Sequence, residues 1–240
     1  MHGRDRTSKQ PPVSQNASPA SAIGGRSGRR VPGYGLSMLV KWITCWASDQ
    51  DAFSLGQQAW TELHGVPGFL GQGGGWSSIT AGVAQIFGFW RDPSSYLAFM
   101  DWGHDRIAAA QVGTFDELRI RTFNRRLDIG HGFPLDLSVV SLLRLAHCHV
   151  RERRQAHFVR AQTELWNPGM AAAPGMCGGV FAQNGEVEFL VLSAWRTAGH
   201  HQRYLKERFG QLHDRAGLTV NLEALTGDLV ALEPNWTVLG

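Results

Sequence analysis

Cysteine is scarce in this chain. The 240 residues hold three, Cys45, Cys148 and Cys177, and no two form a CxxC pair. An odd, unpaired set excludes a disulfide framework and implies reduced thiols in a cytoplasmic setting. No apolar run approaches the ~20 residues that a bilayer-spanning helix needs, and the N-terminal segment has no apolar core of a secretory signal. A membrane is therefore not an expected partner. GxxxxGK[ST], GxSxG and HExxH are all absent. Their absence removes the phosphate-binding loop, the serine-hydrolase elbow and the two-histidine helix of zinc peptidases. The glycines at 68, 71, 73, 74 and 75 do not spell GxGxxG, and a strand pattern follows them, so they read as turn and bulge material.

A surplus of charge is also missing where it would matter. The formal net charge is +3, from 23 basic and 20 acidic residues. Residues 1–37 contain Arg4, Arg6, Lys9, Arg26, Arg29 and Arg30 against Asp5 alone, which leaves 17 basic and 19 acidic residues for the rest. The folded part is slightly acidic and lacks the basic surplus of a nucleic-acid binder. Residues 1–37 are rich in Ser, Pro, Gly and Arg and have little to bury, so they read as a disordered basic tail. Met38 opens the first apolar strand and is a second candidate start.

From Met38 onward the pattern is regular. Residues 38–46 (MLVKWITCW) are strand-like, and Asp49 is a plausible cap for a helix ending near His64. Val66-Pro67-Gly68 breaks the chain. Residues 69–77 and 83–90 read as two strands, Asp92-Pro93 opens a helix to about Ala110, and 115–127 read as a fourth strand. The same order recurs: strand 141–149, helix 152–166, a break at Asn167-Pro168-Gly169, strands 176–183 and 187–195, helix 198–212. An extended stretch over 218–232 follows, then a short strand at Trp236-Val238. Each half is a βαββαβ unit of the ferredoxin-like kind. The boundaries are 38–127 for the first repeat, 128–140 for a linker and 141–239 for the second.

The duplication is visible in letters. Phe53-x-x-x-Gln57 returns as Phe158-x-x-x-Gln162 and Trp90-Arg91 as Trp195-Arg196, both 105 residues later; Pro67-Gly68 matches Pro174-Gly175, and Cys45 matches Cys148. A βαββαβ unit covers one face of its sheet with helices. The first strand is apolar on both faces, with Leu39, Ile43 and Cys45 on one and Val40, Trp42 and Trp46 on the other. Such a sheet must be covered on both sides. The second copy is the natural cover, so the fold class is α+β: two antiparallel sheets face to face as an intramolecular α+β barrel, helices outside.

At these residues the chain resembles the antibiotic biosynthesis monooxygenase superfamily, through the split unit, the Pro-Gly-aromatic turn and Trp90-x-Asp92 leading into a helix. The second half resembles more densely the YdbC-like bacterial proteins of uncharacterised function. The resembling string includes Arg154, His157-Phe158, Gln162, Trp166-Asn167-Pro168-Gly169-Met170, Gly178-Gly179, Trp195, His201 and Tyr204. Asn235-Trp236-Thr237-Val238 fits too. Members of the superfamily are usually dimeric α+β barrels; a tandem repeat would build the barrel within one chain, as a monomer or a homodimer.

Polar residues on faces that should be apolar are the candidates for chemistry. Phe53, Gly56, Gln57 and Trp60 form the inner stripe of one helix; Phe158, Ala161, Gln162 and Leu165, with Trp166 next, form its counterpart. A buried amide needs partners, so Gln57 and Gln162 either bridge helix and strand or face a polar cavity. Tyr96, Phe99, Met100, Gly103, His104 and Ile107 line the second helix of the first repeat, and His201, Tyr204, Leu205 and Leu212 that of the second. His104 and His201 are inward histidines, either held by backbone or able to act as a base. His147 and His149 share a strand face, but no third ligand stands at an obvious spacing, so no metal site is assigned.

Two functional readings remain open. The resemblance implies a cofactor-independent oxygenase acting on a small aromatic or polyketide-like molecule. In it His201, Tyr204 and His104 move protons and Gln57, Gln162, Trp60 and Trp166 bind the ligand. The other is a small-ligand-binding module without turnover. A haem-binding or haem-degrading variant lacks the asparagine expected on the first strand, where Ile43-Thr44 and Ala146-His147 stand instead.

Overall fold

The computed structural model describes residues 38–132 and 135–240. The basic tail over 1–37 lies outside them. The elements run β1 (Leu39–Trp46), α1 (Gln50–Gln57) with a 3₁₀ continuation (Gln58–Leu63), β2 (Phe69–Ser77), β3 (Val83–Trp90), α2 (Pro93–Trp102), α3 (His104–Ala108) and β4 (Glu117–Ile129). The second half gives β5 (Leu142–Val150), α4 (Gln155–Ala161), a π-helical turn (Gln162–Trp166), α5 (Asn167–Ala171), β6 (Met176–Asn184) and β7 (Glu188–Trp195). It continues with α6 (Ala198–Tyr204), a second π turn (Leu205–Phe209), α7 (Gly210–Ala216), α8 (Leu218–Asn221), β8 (Leu222–Leu232) and β9 (Val238–Leu239). The expected caps are in place: Asp49 accepts from the Ala52 N–H and Asp92 from that of Ser95, with Pro93 at the helix start.

Within each repeat the central pair is the first and third strand, β1 with β3 and β5 with β7, flanked by β4 and β2 or by β8 and β6. The two sheets also join at their edges. Pairings of β4 with β6 and β2 with β8, all antiparallel, close eight strands into a barrel; β9 adds to β2. Closure leaves neither repeat with a bare edge along these strands. The β2–β8 seam is tight: a Cβ on Gly75 would stand 1.8 Å from the Ala231 carbonyl oxygen, so only glycine lets these backbones meet.

Alternation along β1 and β5 sorts the core into layers. Val40, Trp42, Leu143 and Leu145 point into the barrel with Phe87, Phe123, Val180 and Leu192. Leu39 and Cys45, or Ala146 and Cys148, point outward beneath helices.

Several local expectations fail. Asn167-Pro168-Gly169 does not end the helix, which continues through α5 to Ala171. Pro168 falls in the first turn after the π turn, where its missing N–H is not needed. A Cβ at Gly169 would lie 2.6 Å from Leu212 Cδ1, so a larger residue there must displace the Leu212 side chain. The helix expected up to Ala110 breaks at Gly103. Residues 218–221 are helical rather than extended, and the last strand begins at Val238, after a 3₁₀ turn containing Trp236. Leu205 is 41% exposed, because one residue beyond Tyr204 is about 100° further round a helix.

Candidate functional site

Beneath the helices of the second repeat lies a cavity enclosing about 450 Å³, counting its open mouth. Its floor is β5, which contributes Arg144, Ala146 and Cys148. One wall is α4 and its π turn, with Phe158, Gln162 and Trp166; the opposite wall carries Tyr204 and Phe209 from α6 and its π turn. Both π turns border the cavity. A π turn inserts one residue into a helix and occurs often at functional sites. The matching segment of the first repeat, after Gln57, tightens into a 3₁₀ turn instead.

Most of the lining is apolar, and Arg144 is its one formal charge. The guanidinium makes no ion pair or side-chain hydrogen bond among the described residues, and burial pulls its pKa below the usual arginine range. The groups around it are neutral at pH 7. Burial pushes the Cys148 thiol up to about 12 and the Tyr204 phenol up to about 12, in each case against the opposing pull of Arg144. His201 is buried and stands beside Tyr204, ring centroids 6.3 Å apart, packed edge-on to Trp195. Burial, reinforced by Arg144, holds its pKa down at about 4. Its Nε2 and the Nε1 of Trp166 are buried without hydrogen-bond partners among the described residues.

Gln162, Trp166 and Tyr204 thus come together around one cavity, whereas His201 stands behind Tyr204 and is not part of the lining. Gln162 donates to the Asn167 side chain, which donates in turn to the Asp128 carbonyl. The first-repeat candidates are arranged differently. Trp60 donates to Gln111 Oε1 at 2.7 Å, and Gln111 Nε2 donates to Gln57 Oε1 at 2.8 Å. Gln57 and Trp60 are thereby tied through one amide. His104 pairs with the exposed Asp105 at 2.9 Å and packs against Trp60 and Phe99.

Arg144 escaped the sequence reading, as did Lys41, its counterpart on β1. Lys41 is 5% exposed, with its ammonium 5.7 Å from the Trp60 ring centre and 5.4 Å from that of Tyr96. A signal was present: both are cations inside strands whose neighbours on the same face are apolar.

Residues 39–123 match a family described as a domain of unknown function, DUF4937. Over 74 residues the chain is 34% identical to the uncharacterised protein YdbC of Bacillus subtilis (strain 168), an alignment covering 29% of this chain and 62% of the relative. Over this stretch the chain is similar to YdbC. It spans less than two thirds of the length of this YdbC relative. The DUF4937 match lies on the first repeat, whereas the denser resemblance to YdbC-like proteins lies in the second.

Among solved structures, the chain is similar to a candidate monooxygenase from Lactobacillus acidophilus NCFM: TM-score 0.67, 12% identity, 85% of this chain and 96% of the other. A candidate monooxygenase from Fusobacterium nucleatum subsp. nucleatum gives 0.69 at 5% identity, over 82% and 92%. An anthrone oxidase-like protein gives 0.61 at 9%, over 82% and 92%. These shares exceed either repeat alone, so the double unit is matched as a whole, and the fold is monooxygenase-like. Among the described residues no helix is long and apolar enough to cross a membrane.

Proposed function

We propose that the second-repeat cavity binds a small aromatic molecule that presents an anion to Arg144, and that it is the site of a cofactor-independent oxidation. The observation that carries this reading is the guanidinium, without a carboxylate partner among the described residues, in a mostly apolar pocket. A largely desolvated charge without a partner is costly, and an anionic ligand lowers that cost while aromatic walls hold its rings. Oxidation without a cofactor requires a substrate whose own conjugate base gives electrons to O₂. Arg144 favours that conjugate base by electrostatics. An anthrone-type methylene is a suitable centre: the CH₂ becomes C=O, O₂ supplies the carbonyl oxygen, and the two hydrogens leave with the second oxygen as water. Gln162 and Trp166 orient the ligand, the neutral Tyr204 phenol donates a hydrogen bond, and the proton leaves to solvent through the cavity's open mouth.

The test is oxygen uptake by the purified chain with an anthrone-type substrate, compared with Arg144→Met. Turnover by the parent chain and its loss in the variant are expected. Absence of uptake at substrate saturation would refute the oxidation. A second reading, binding without turnover, is favoured by the separation of His201 from the cavity. It would appear as ligand binding that depends on Arg144 but consumes no oxygen.

A further inference from the structure

The opposite face of β5 carries a second cluster, inside the barrel. Residues 143 and 145 there are leucines packed in the apolar interior. The next two positions on the same face are His147 and His149, whose ring centroids are 5.3 Å apart. Glu188, at the start of β7, is the cross-strand partner of His149. Its Oε1 lies 2.7 Å from His147 Nε2. One donor atom from each of the three residues can be chosen so that all lie within 4.8 Å of one another.

We propose that His147, His149 and Glu188 bind a divalent transition-metal ion of the zinc class near one end of the barrel. Two imidazoles and one carboxylate suit zinc, cobalt or nickel and not the oxygen-seeking magnesium or calcium. Ligand bonds of about 2.0–2.2 Å in a tetrahedral site place donors roughly 3.4 Å apart. The present spread therefore closes by side-chain rotation. His147 exchanges its hydrogen bond to Glu188 for the metal, and both groups remain on rigid strands. A ligating carboxylate is normally fixed by an outer partner; here Asn184 Nδ2 donates to Glu188 Oε2 at 2.7 Å. Three protein ligands leave a fourth position for water or a small molecule.

The interior-facing neighbours define the environment. His147 packs edge-on to Trp42 and Phe123 at 5.3 and 6.1 Å. Arg121 stands beside the cluster; its Nε is 3.6 Å from Glu188 Oε1, beyond hydrogen-bonding distance, and its guanidinium rests on Trp42. It leaves the carboxylate's bonding positions free while repelling a second cation. Thr44 and Trp46 stand at the corresponding places of the first repeat. The cluster therefore belongs to one half of the barrel. It is also separate from the helix-side cavity, because Arg144 and Cys148 project from the other face of the strand.

The experiment uses the full chain, stripped with a chelator and titrated with Co²⁺ while visible d–d absorption is followed. One equivalent is expected to bind, to be displaced by Zn²⁺ and to be indifferent to Mg²⁺. Because the chain has ten histidines, variants assign the site. Affinity is expected to fall at least tenfold in His149→Ala and in Glu188→Gln, and to rise in Arg121→Ala. Zn²⁺ is expected to raise the melting temperature of the parent chain and not of the first two variants. Absence of a cobalt spectrum, or a spectrum unchanged in both variants, would overturn the proposal. Should a variant fail to fold, NMR of the parent chain decides: Co²⁺ must broaden the His147 and His149 ring signals before all others.

Discussion

Lys41 and Arg144 stand at the same point of the duplicated design, each four residues before a buried cysteine on the central strand of its repeat. Each is a cation pushed beneath helices, with no carboxylate bound to it among the described residues. The two halves treat that cation differently. In the first, aromatic rings close over Lys41 and the Gln57–Gln111–Trp60 tie fills the helix layer. In the second, two π turns hold the layer open and Arg144 faces a cavity.

Arg144→Met is expected to keep the fold, with an unchanged or higher melting temperature, because it removes an unpaired charge. Affinity for an aromatic carboxylate probe should fall about 10- to 100-fold, the range for a lost charge-assisted hydrogen bond. Calorimetric titration of parent and variant checks both statements. Equal affinities would dismiss Arg144 as the anion's partner.

Lys41 gives a pH signature. Burial lowers its pKa from 10.5 to about 8. Between those values the unfolded chain holds a proton that the folded chain has released, so this residue's contribution to stability rises with pH from about 8 to 10.5. The full swing is on the order of 3 kcal/mol. Lys41→Met is expected to be more stable than the parent at pH 7 by about 1–2 kcal/mol, after allowing for lost cation–π contacts, and that advantage should vanish by pH 10.5. Urea unfolding of both chains across this range gives the difference free of the thiols and phenols they share.

His201 acts in the acid range by the same sign. Its folded pKa of about 4 lies below the ordinary 6.5, so the unfolded chain takes up the proton first. The stability that the neutral ring contributes is whole above pH 6.5 and is lost as pH falls toward 4. Relative to His201→Gln, the parent should lose on the order of 2 kcal/mol between pH 7 and 4.5. An imidazole NMR titration with a midpoint near 6.5 would contradict the burial argument.

The two glutamines should separate. Gln57→Ala strands the Gln111 amide in the core and is expected to cost about 1–3 kcal/mol. Gln162→Ala, at the cavity wall, is expected to weaken ligand binding more than it lowers the melting temperature. Thermal melts beside a ligand screen measure both; a large loss of stability with unchanged binding for Gln162→Ala would make it a packing residue.

Glycine substitutions test the close approaches. Gly75→Ala must move the β2 or β8 backbone and should cost at least the 1–3 kcal/mol of ordinary overpacking. Gly210→Ala, in α7 with nothing within 4 Å of the added carbon, is expected to stabilise by about 0.5–1 kcal/mol. Guanidinium melts of the two variants should move in opposite directions.

Much of this architecture was written locally. β2 and β3 fall on the expected residues, Asp49 and Asp92 cap as their positions demand, and the Phe-x-x-x-Gln and Trp-Arg pairs mark the two repeats. These features depend on neighbours a few residues away, whose periodicity and backbone preferences the sequence carries. The sites depend on more. When both faces of a strand are apolar, alternation separates two sets of side chains without saying which lies under helices and which enters the barrel. Only the folded chain put Arg144 in the helix-side cavity and His147 in the interior. Glu188 lies 39 residues beyond His149, and only the antiparallel register of β5 with β7 makes them neighbours. The π turns that open the cavity are shifts of backbone hydrogen bonding settled by packing against the sheet, and residue preference does not encode them.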